Sequence, residues 1–590
     1  MGRAGHILLR NLAVPAFTGC TLKAKSASSS ESSYVCGESE PPLLELCIGE
    51  MLDRTAAACA DSAALVCRAS GERFTWAELH REVERLARAL MALGVAKGDR
   101  VGIWATNRTE WVLTQFATAK IGANLVNLNI RYRAHELEYA LKQSECQTLI
   151  LMRGFHDCDY VESLFSIAPQ LAKGRSGACK ARQLPHLSNL IFIGEDAPAS
   201  MLPWRELMAK AEQTSVQQLK QREASLSCYD AINIQYTSGT TGFPKGATLS
   251  HHNVVNSGLL ISTTMKLSPR DSICIPVPFY HCFGMVLANM SCLASGAAMV
   301  LPSESFDALE TLRTVHEERC TAIYGVPTMF IAEFQHPQFH EFALTSLRTG
   351  IMAGSPCPME LMRRVVDEMH CRELTTVYGL TESSPGMTQS RTDDSLQARV
   401  TTVGRPLPHT EIRISDPKTG AILPRGMVGE ICTRGYLVMT GYYNDPKSTA
   451  EAIEHDGWLH SGDSGMIDED GYVRMTGRIK EMIIRGGENI YPREIEEYLH
   501  TCPGIADVQV IGVPDPKYGE EVMAWVKLKH GATLTEQDIK SFCKGQIADF
   551  KVPRYIRFVE SFPMTGSGKI QKFRMREISV TEFATAFVSA

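Results

Sequence analysis

Tyr236-Thr237-Ser238-Gly239-Thr240-Thr241-Gly242-Phe243-Pro244-Lys245-Gly246 is the stretch around which the rest of the chain is organised. Hydroxyl-bearing residues and glycines fill most of it, and its one lysine, Lys245, stands near the end. Alternating apolar and polar residues over 232–236 predict a strand before the loop, and Ser250 predicts the start of a helix after it. A loop rich in hydroxyl and backbone N–H donors, with a cation beside them, is suited to binding a polyphosphate.

This loop differs from a Walker A loop, in which Gly-Lys-Ser/Thr runs directly into a helix. Here Pro244 precedes the lysine and Gly246 follows it. The difference disfavours a phosphotransferase of the P-loop type. A flexible Gly/Ser/Thr connector is the alternative interpretation, but the strand before the loop and the helix after it leave little slack for one.

Composition narrows the class of protein. The chain has 590 residues, of which 44% are hydrophobic and 21% charged, as in a globular protein with a large core. The formal net charge of -6 argues against a nucleic-acid partner, and no HIGH or KMSKS-type signature indicates a tRNA-charging enzyme. The 18 cysteines are scattered singly without zinc-ligand spacing, which predicts reduced thiols in an intracellular protein.

Two segments bear on localisation. Residues 1–30 contain four basic residues and no acidic one, which predicts a mitochondrial transit peptide and a matrix location, with 1–40 as transit peptide and linker. A disordered basic tail is the alternative. Residues 272–303 lack Lys, Arg, Asp and Glu, but prolines and glycines interrupt them. They predict a buried helix beside a core strand and no transmembrane segment.

The order of elements predicts an α/β fold. Strand-like and helical patterns alternate from residue 101 onward, which indicates parallel-rich sheets covered by helices. After Lys480 the pattern changes to that of a small α+β unit. We therefore expect a large N-terminal domain over residues 41–477 and a small C-terminal domain over 478–590.

Further motifs each have a structural alternative. His281 ends an apolar strand between aromatic residues, where a packed core histidine is equally expected. Gly354 and Ser355 form a small-residue turn that would let a flat ring approach the backbone. Glu382, the only acid in its stretch, could bind Mg²⁺ or be an exposed turn residue. Asp463 follows Ser-Gly and could accept bonds from both ribose hydroxyls, or simply form a hairpin turn.

Near the C-terminus, Lys569 follows Gly-Ser-Gly, so it is either a mobile lysine that can enter a distant site or a surface lysine. Five motifs, including this one, resemble in sequence and order those of the AMP-forming acyl-CoA synthetases, the acyl-adenylate-forming superfamily. The resemblance covers roughly residues 45–575. Residues 578–590 depart from the charged, helix-like tail usual in that family.

The resemblance implies that the domain over 41–477 binds ATP and the acyl group and that the domain over 478–590 is a mobile lid. It also implies roles for individual residues. Lys569 would be the adenylation lysine, Lys480 a hinge, and Arg478 and Asp463 ribose ligands. Tyr378 would stack on adenine beside Gly354 and Ser355, and His281 would lie near the substrate carboxylate. Thr381 and Glu382 would be catalytic, with Glu382 and Thr240 holding Mg²⁺. The phosphate-binding set would be Thr237, Ser238, Gly239, Thr240, Thr241, Gly242 and Lys245.

The implied reaction joins a carboxylic acid to coenzyme A with ATP and Mg²⁺. The carboxylate attacks the α-phosphorus of ATP, pyrophosphate leaves, and the thiol of CoA then attacks the acyl-adenylate and releases AMP. Within the family the resemblance favours a mitochondrial ligase of medium-chain fatty acids. A ligase of aryl or amino acids and a non-catalytic acyl- or nucleotide-binding protein are the alternatives.

Overall fold

The computed structural model describes residues 32–173, 181–237, 244–355, 357–485, 488–544, 546–565 and 569–588, with backbone alone for 488–489 and 583–588. The transit-peptide prediction for residues 1–30 lies outside these residues. So do the predictions for Ser238, Gly239, Thr240, Thr241 and Gly242.

An eight-stranded sheet carries the phosphate-binding stretch. Its first six strands are parallel, and each of the last two pairs antiparallel with the strand before it. In spatial order the strands are Leu202–Pro203, Asn189–Phe192, Thr148–Leu151, Arg100–Trp104, Asn124–Asn127, Ala231–Thr237, Lys245–Ser250 and Gly441–Tyr442. Helices connect the parallel strands, as the alternating sequence pattern predicts.

A nine-stranded sheet forms the second half of the large domain. Its centre is parallel, and antiparallel strands close both edges. In order the strands are Arg405–Pro406, Thr388–Gln389, Glu373–Tyr378, Thr349–Ala353, Ala322–Gly325, Ser272–Cys274, Ala298–Leu301, Ala63–Cys67 and Glu72–Thr75. Carboxyl ends of parallel strands meet at one edge, so Gly354 and the residues after Tyr378 are brought side by side.

One hydrophobic core joins the two sheets. Helices Thr109–Ile121 and His251–Thr264 are buried on nearly every residue, as expected for helices enclosed between layers. The other large-domain α-helices are Ile48–Ala58, Trp76–Ala92, Ala134–Gln143, Tyr160–Ile167, Trp204–Ala209, Val216–Glu223, Ser291–Ser295, Ala308–Glu318, Pro327–Gln335, Met359–Glu368, Leu396–Thr401 and Pro446–Ala452. A π-helix, Phe283–Met290, and strand Ser272–Cys274 confirm the buried helix and strand predicted within 272–303.

A five-stranded antiparallel sheet completes the large domain and corrects one boundary. Its strands are Tyr34–Cys36, Thr410–Ser415, Gly429–Gly435, Leu459–Ile467 and Val473–Arg478. Ser33 Oγ also donates to the Pro424 carbonyl at 2.8 Å. Residues 33–36 are therefore part of the folded domain and not of a linker ending at residue 40. Sequence analysis missed this strand because three residues are too few to show a periodic pattern.

The small domain has its own sheet and core. Strands Glu488–Ile490, Ile483–Arg485, Gly519–Leu528, Ile505–Asp515 and Tyr555–Phe558 pair in one sheet, with helices Pro492–His500, Glu536–Cys543 and Lys572–Val588. The large-domain apolar clusters extend to Met475, and those of the small domain begin at Ile483. This change brackets Lys480, and the boundary between residues 477 and 478 stays a prediction.

The C-terminal segment is helical, contrary to the atypical tail that its sequence suggests. Met575 and Ser579 are buried on helix Lys572–Val588, and Ser579 Oγ accepts from the indole N–H of Trp525 at 3.1 Å. Met575 and Ser579 thus anchor a helix whose sequence has no strong amphipathic pattern. Among the helices described here, none is both long and apolar enough to cross a membrane.

Candidate active site

The phosphate-binding stretch connects two strands of a hairpin. Ala231–Thr237 pairs antiparallel with Lys245–Ser250, and Thr237 lies opposite Lys245. The strand predicted before the loop is confirmed, and so is the helix after Ser250, whose hydroxyl accepts from the Asn253 N–H. The second hairpin strand was missed. Pro244 and Gly246 at its start disfavour a strand, so the buried middle of the strand, Ala247-Thr248-Leu249, was not recognised.

Tyr442 connects Lys245 of this hairpin to Glu382. Nζ of Lys245 lies 5.1 Å from the ring centroid of Tyr442, on the neighbouring strand. The Tyr442 hydroxyl donates to Oε1 of Glu382 at 2.8 Å. Glu382 stands in the 3₁₀ turn Thr381–Ser383. Tyr442 therefore contacts both the predicted phosphate cation and the predicted metal ligand, a role that sequence analysis did not assign to it.

Close backbone packing holds the turn that carries Glu382. A Cβ on Gly379 would lie 1.8 Å from the Pro385 carbonyl oxygen, so only glycine fits. Thr381 Oγ1 lies 3.6 Å from the sulfur of buried Cys282. Thr381 and His281, which are far apart in sequence, are thus brought together through Cys282.

Asp463 is the most enclosed charged group of the site. It is 2% exposed, and its Oδ2 accepts from the Tyr378 hydroxyl at 2.9 Å. Arg478 Nε lies 3.4 Å from Oδ1, on the strand position paired directly with Asp463. Within the described residues, Oδ1 has no hydrogen-bond donor. Burial raises the pKa of Asp463 to about 6, against the opposing effects of Arg478 and Tyr378.

Tyr378 has a different environment from the one expected. It is 7% exposed and packs in the apolar cluster behind the five-stranded sheet, while its hydroxyl orients Asp463. Burial, together with the nearby Asp463 carboxylate, raises its pKa well above the usual value, so the phenol stays a donor. Stacking of Tyr378 on adenine stays a prediction, and its contact with Asp463 is the role that the geometry supplies.

Lys569 reaches the large domain from a hairpin of the small domain. Its N–H donates to Thr565 Oγ1 at 3.0 Å, and its carbonyl accepts from the Thr565 N–H at 2.7 Å. Its Cε lies 3.9 Å from the point that a Cβ of Gly354 would occupy. Burial lowers the pKa of Lys569, and Arg478 adds to this, while Glu382 and Asp463 oppose it.

His281 lies beside Lys569 and is neutral. Burial, and the nearby lysine, lower its pKa to about 3. Its Nδ1 accepts from the Phe283 N–H at 3.2 Å, which places the ring proton on Nε2. His281 can therefore donate a hydrogen bond and is unsuited to carry a positive charge. His281 thus shows features of both sequence interpretations, since it is partly buried and it also lies at the candidate site.

The remaining predicted residues lie at the margins. Gly354 follows strand Thr349–Ala353 with φ of 89°, a left-handed conformation that favours glycine, and Ser355 comes next. Thr237 Oγ1 donates to the Lys245 carbonyl at 3.4 Å. Lys480 is exposed in the 3₁₀ turn Ile479–Glu481 between the two domains. Apart from the loop residues that the structure does not describe, the predicted residues converge from both domains.

Comparison with known proteins identifies the class. The family model "AMP-binding enzyme" matches residues 52–443, and "AMP-binding enzyme C-terminal domain" matches residues 494–569. The chain belongs to the AMP-binding enzyme family. Its homologues include acyl-CoA synthetases, and it is an AMP-forming acid–thiol ligase that uses ATP and CoA.

Particular relatives agree over most of the chain. The putative acyl-CoA synthetase YngI of Bacillus subtilis is 50% identical over 541 residues, covering 92% of this chain and 98% of the relative. The mitochondrial medium-chain acyl-CoA ligase ACSF2 of Rattus norvegicus is 43% identical over 92% of this chain and 89% of its own length. The anthranilate CoA ligase AuaEII, solved with anthranoyl-AMP, superposes with a TM-score of 0.81 at 25% identity, covering 92% of this chain and 99% of that one.

Proposed function

We propose that this chain activates a medium-chain fatty acid, with the roles of its site residues divided between the two domains. The observation that carries the proposal is the position of Lys569. A lysine from the small domain lies against Gly354 of the large domain and within electrostatic range of Glu382 and Asp463. A lysine that belongs to the surface would have no reason to be enclosed there.

In the first half-reaction a carboxylate oxygen of the acid bonds to the α-phosphorus of ATP, and the bond to pyrophosphate breaks. Lys569 stabilises the negative charge that develops on the phosphoryl oxygens. Because burial lowers the pKa of its ammonium group, the arriving phosphates supply the countercharge that favours the protonated lysine. No protein nucleophile is needed, since positioning and charge stabilisation accelerate this step.

Asp463 and Arg478 would position the nucleotide. Oδ1 of Asp463, which faces Arg478 but accepts no hydrogen bond from the described residues, is a buried acceptor that a ribose hydroxyl would satisfy, and Tyr378 fixes the carboxylate from the other side. Lys245 and Thr237 would contact the phosphates with the loop residues 238–242. Neutral His281 would donate from Nε2 to the substrate carboxylate near Gly354 and Ser355.

Glu382 fits a magnesium ligand. Its carboxylate is half-buried, one oxygen accepts from Tyr442, and carboxylate oxygens are the donors that Mg²⁺ prefers. We propose that Glu382, with the hydroxyl of Thr240, holds the ion. When bound, Mg²⁺ neutralises phosphate charge on ATP. Tyr442 orients Glu382, and Thr381 packs the same turn against Cys282.

The second half-reaction needs the site to open. The CoA thiolate bonds to the acyl carbon, and the bond to AMP breaks. Lys569 occupies space beside Gly354, so we propose that the small domain rotates about Lys480 and withdraws Lys569 before CoA enters. Separate apolar cores on either side of Lys480 allow such a rotation without breaking either core.

The fatty acid itself is inferred from relatives named as medium-chain ligases. Acid-dependent exchange of pyrophosphate into ATP tests it, on the chain starting at residue 32 so that strand Tyr34–Cys36 is retained. We expect exchange without CoA, greatest for acids of medium length, and acyl-CoA plus AMP once CoA is added. Greater exchange with aryl or amino acids would replace the fatty acid, and ATP binding without exchange would indicate a binding protein.

We also propose a mitochondrial location, supported by the acid-free residues 1–30 and by the mitochondrial relatives, although another relative is bacterial. A fusion of residues 1–31 to a fluorescent protein should enter mitochondria. Replacement of Arg3 and Arg10 by glutamate is the matched control and should prevent import. Diffuse fluorescence of the unaltered fusion would contradict the proposal.

A further inference from the structure

Glu430, Cys432 and His460 form a compact cluster outside the proposed active site. One carboxylate oxygen, the thiol sulfur and one ring nitrogen all lie within 4.8 Å of one another. Cys432 Sγ lies 3.6 Å from Nδ1 of His460, and that nitrogen lies 2.9 Å from Oε2 of Glu430. Ligands of a tetrahedral zinc ion lie ~3.3–3.8 Å apart, so the Sγ–Nδ1 distance already fits and the Nδ1–Oε2 distance needs to open by only a few tenths of an ångström.

The five-stranded sheet holds these side chains rigidly. Glu430 and Cys432 are two residues apart on strand Gly429–Gly435, and His460 is the direct partner of Cys432 on strand Leu459–Ile467. Cys432 is fully buried, whereas the side chains of His460 and Glu430 are 31% and 13% exposed. An ion can therefore enter from solvent, and a water molecule can complete its coordination.

A second carboxylate supports the imidazole from behind. Nε2 of His460 lies 2.9 Å from Oε1 of Glu454, which also pairs with Arg413. A carboxylate that accepts the far N–H of a metal-bound histidine orients the ring and raises its basicity. Glu454 is placed to do this when Nδ1 faces the ion.

We propose that Glu430, Cys432 and His460 bind a zinc ion, with water as the fourth ligand. Thiolate, imidazole and carboxylate are the ligands that zinc takes in proteins, and a thiolate disfavours magnesium and calcium. Binding replaces the S–H bond of Cys432 and the Nδ1–H bond of His460 by bonds to zinc, and both protons pass to solvent.

The cluster is connected through Glu430 to the turn that carries Asp463, and its effect on ATP rests on the ribose role of Asp463 in the proposed function. Its Oε1 accepts from the Gly462 N–H at 3.0 Å, and Gly462 directly precedes Asp463. An ion bound at Oε2 draws charge from the same carboxylate and moves it. We therefore expect zinc to raise the KM for ATP about threefold to tenfold, the effect of weakening one hydrogen bond, with little change in kcat.

Titration of the full chain with Co²⁺, a spectroscopic substitute for zinc, tests the site. We expect a thiolate-to-cobalt charge-transfer band that saturates at one equivalent and disappears when zinc is added. Cys432→Ser and His460→Gln should abolish the band, and Glu454→Gln should weaken Co²⁺ binding about 10- to 100-fold. Cys502→Ser, which removes a buried thiol of the small domain, is the matched control and should retain the band.

Absence of the band in the unaltered chain would overturn the proposal, as would a band that both Cys432→Ser and His460→Gln retain. If Cys432→Ser does not fold, the partly exposed His460→Gln decides alone. In the absence of zinc, Cys432→Ser should keep the KM for ATP of the unaltered chain. An equal response of that KM to zinc in Cys432→Ser would show that the coupling does not pass through this cluster.

Discussion

The two charged centres of the active site are built in opposite ways. Asp463 and Arg478 are paired partners on adjacent strands of one sheet, so their separation is set by backbone hydrogen bonds. Lys569 belongs to a hairpin of the small domain and reaches Gly354 across the boundary near Lys480. In the proposed function, the ribose site would therefore be present whichever way the small domain lies, whereas the lysine would be present only when that domain closes.

This difference suits a reaction in two steps. AMP stays bound through both half-reactions, so its ribose contacts belong on a rigid sheet. In the proposed function the lysine acts in the first step alone, and it would block the space beside the acyl site if it stayed for the second. Four substitutions, ordered from the largest expected effect to the smallest, test whether the permanent and conditional parts act separately.

Lys569→Ala tests the conditional part. We expect acyl-adenylate formation to fall about 10²- to 10³-fold, because one stabiliser of the developing phosphoryl charge is lost. Thioester formation from preformed acyl-adenylate should be unchanged, because Lys569 has left by then. Separate assays of the two half-reactions measure the two rates. Lys540→Ala, on the small-domain surface, is the control. Equal losses in the two halves would contradict the assignment.

Asp463→Asn tests the permanent part. The KM for ATP should rise about 10- to 100-fold, the usual cost of losing a hydrogen bond to a charged group. Burial holds the pKa of Asp463 at about 6, so in the unaltered enzyme protonation should weaken ATP binding as pH falls through 6. Steady-state profiles between pH 5 and 8 should show this limb, and the variant should lack it. Persistence of the limb in Asp463→Asn would assign it to another group.

Lys480→Pro tests the rotation between the parts. A fixed φ at this turn should slow overall turnover about tenfold while adenylate formation in the first turnover is spared. Rapid-quench measurement of the adenylate burst against steady-state turnover separates the two. Lys480→Ala, which removes the side chain and leaves the backbone mobile, is the matched control. If proline left turnover unchanged, the assignment of Lys480 as the hinge would be wrong.

Tyr442→Phe sharpens the comparison within the large domain. It removes the hydroxyl that donates to Glu382 but keeps the ring beneath Lys245. We expect kcat to fall about fivefold to tenfold and the Mg²⁺ concentration for half-maximal activity to rise, since a freed carboxylate is less well oriented. Tyr443→Phe, on the adjacent residue, should leave both unchanged. A fall in kcat with no change in Mg²⁺ dependence would place Tyr442 outside the metal site.

Local motifs made much of this site predictable. Asp463 and Lys569 stand in short stretches of small residues whose chemistry can be read without knowledge of the fold. The helix start at Ser250 was also accessible, because a capping box is complete within four residues. Their side-chain roles at the site still rest on resemblance and on the experiments above.

Apart from the second hairpin strand, Lys245–Ser250, the features that sequence analysis missed depend on contacts between distant residues. Tyr34–Cys36 pairs with a strand almost four hundred residues later, and Tyr442 reaches Glu382 from another sheet. The Tyr378 hydroxyl meets Asp463, 85 positions later in the chain, while stacking of Tyr378 on adenine stays a prediction. Such pairings leave no periodic trace in either segment, because each is only two or three residues long.

The sequence by itself determined the α/β class, through the order of its elements, and the family. It also determined the local motifs with their expected phosphate, ribose and lysine roles, since each motif is written within a dozen consecutive residues. Tertiary structure alone decided that Lys569 lies beside Gly354, that Tyr378 and Tyr442 orient the two carboxylates, and that Cys432 meets His460. Those contacts arise where sheets and domains pack against each other, and packing brings together residues whose order in the chain carries no record of the distance between them.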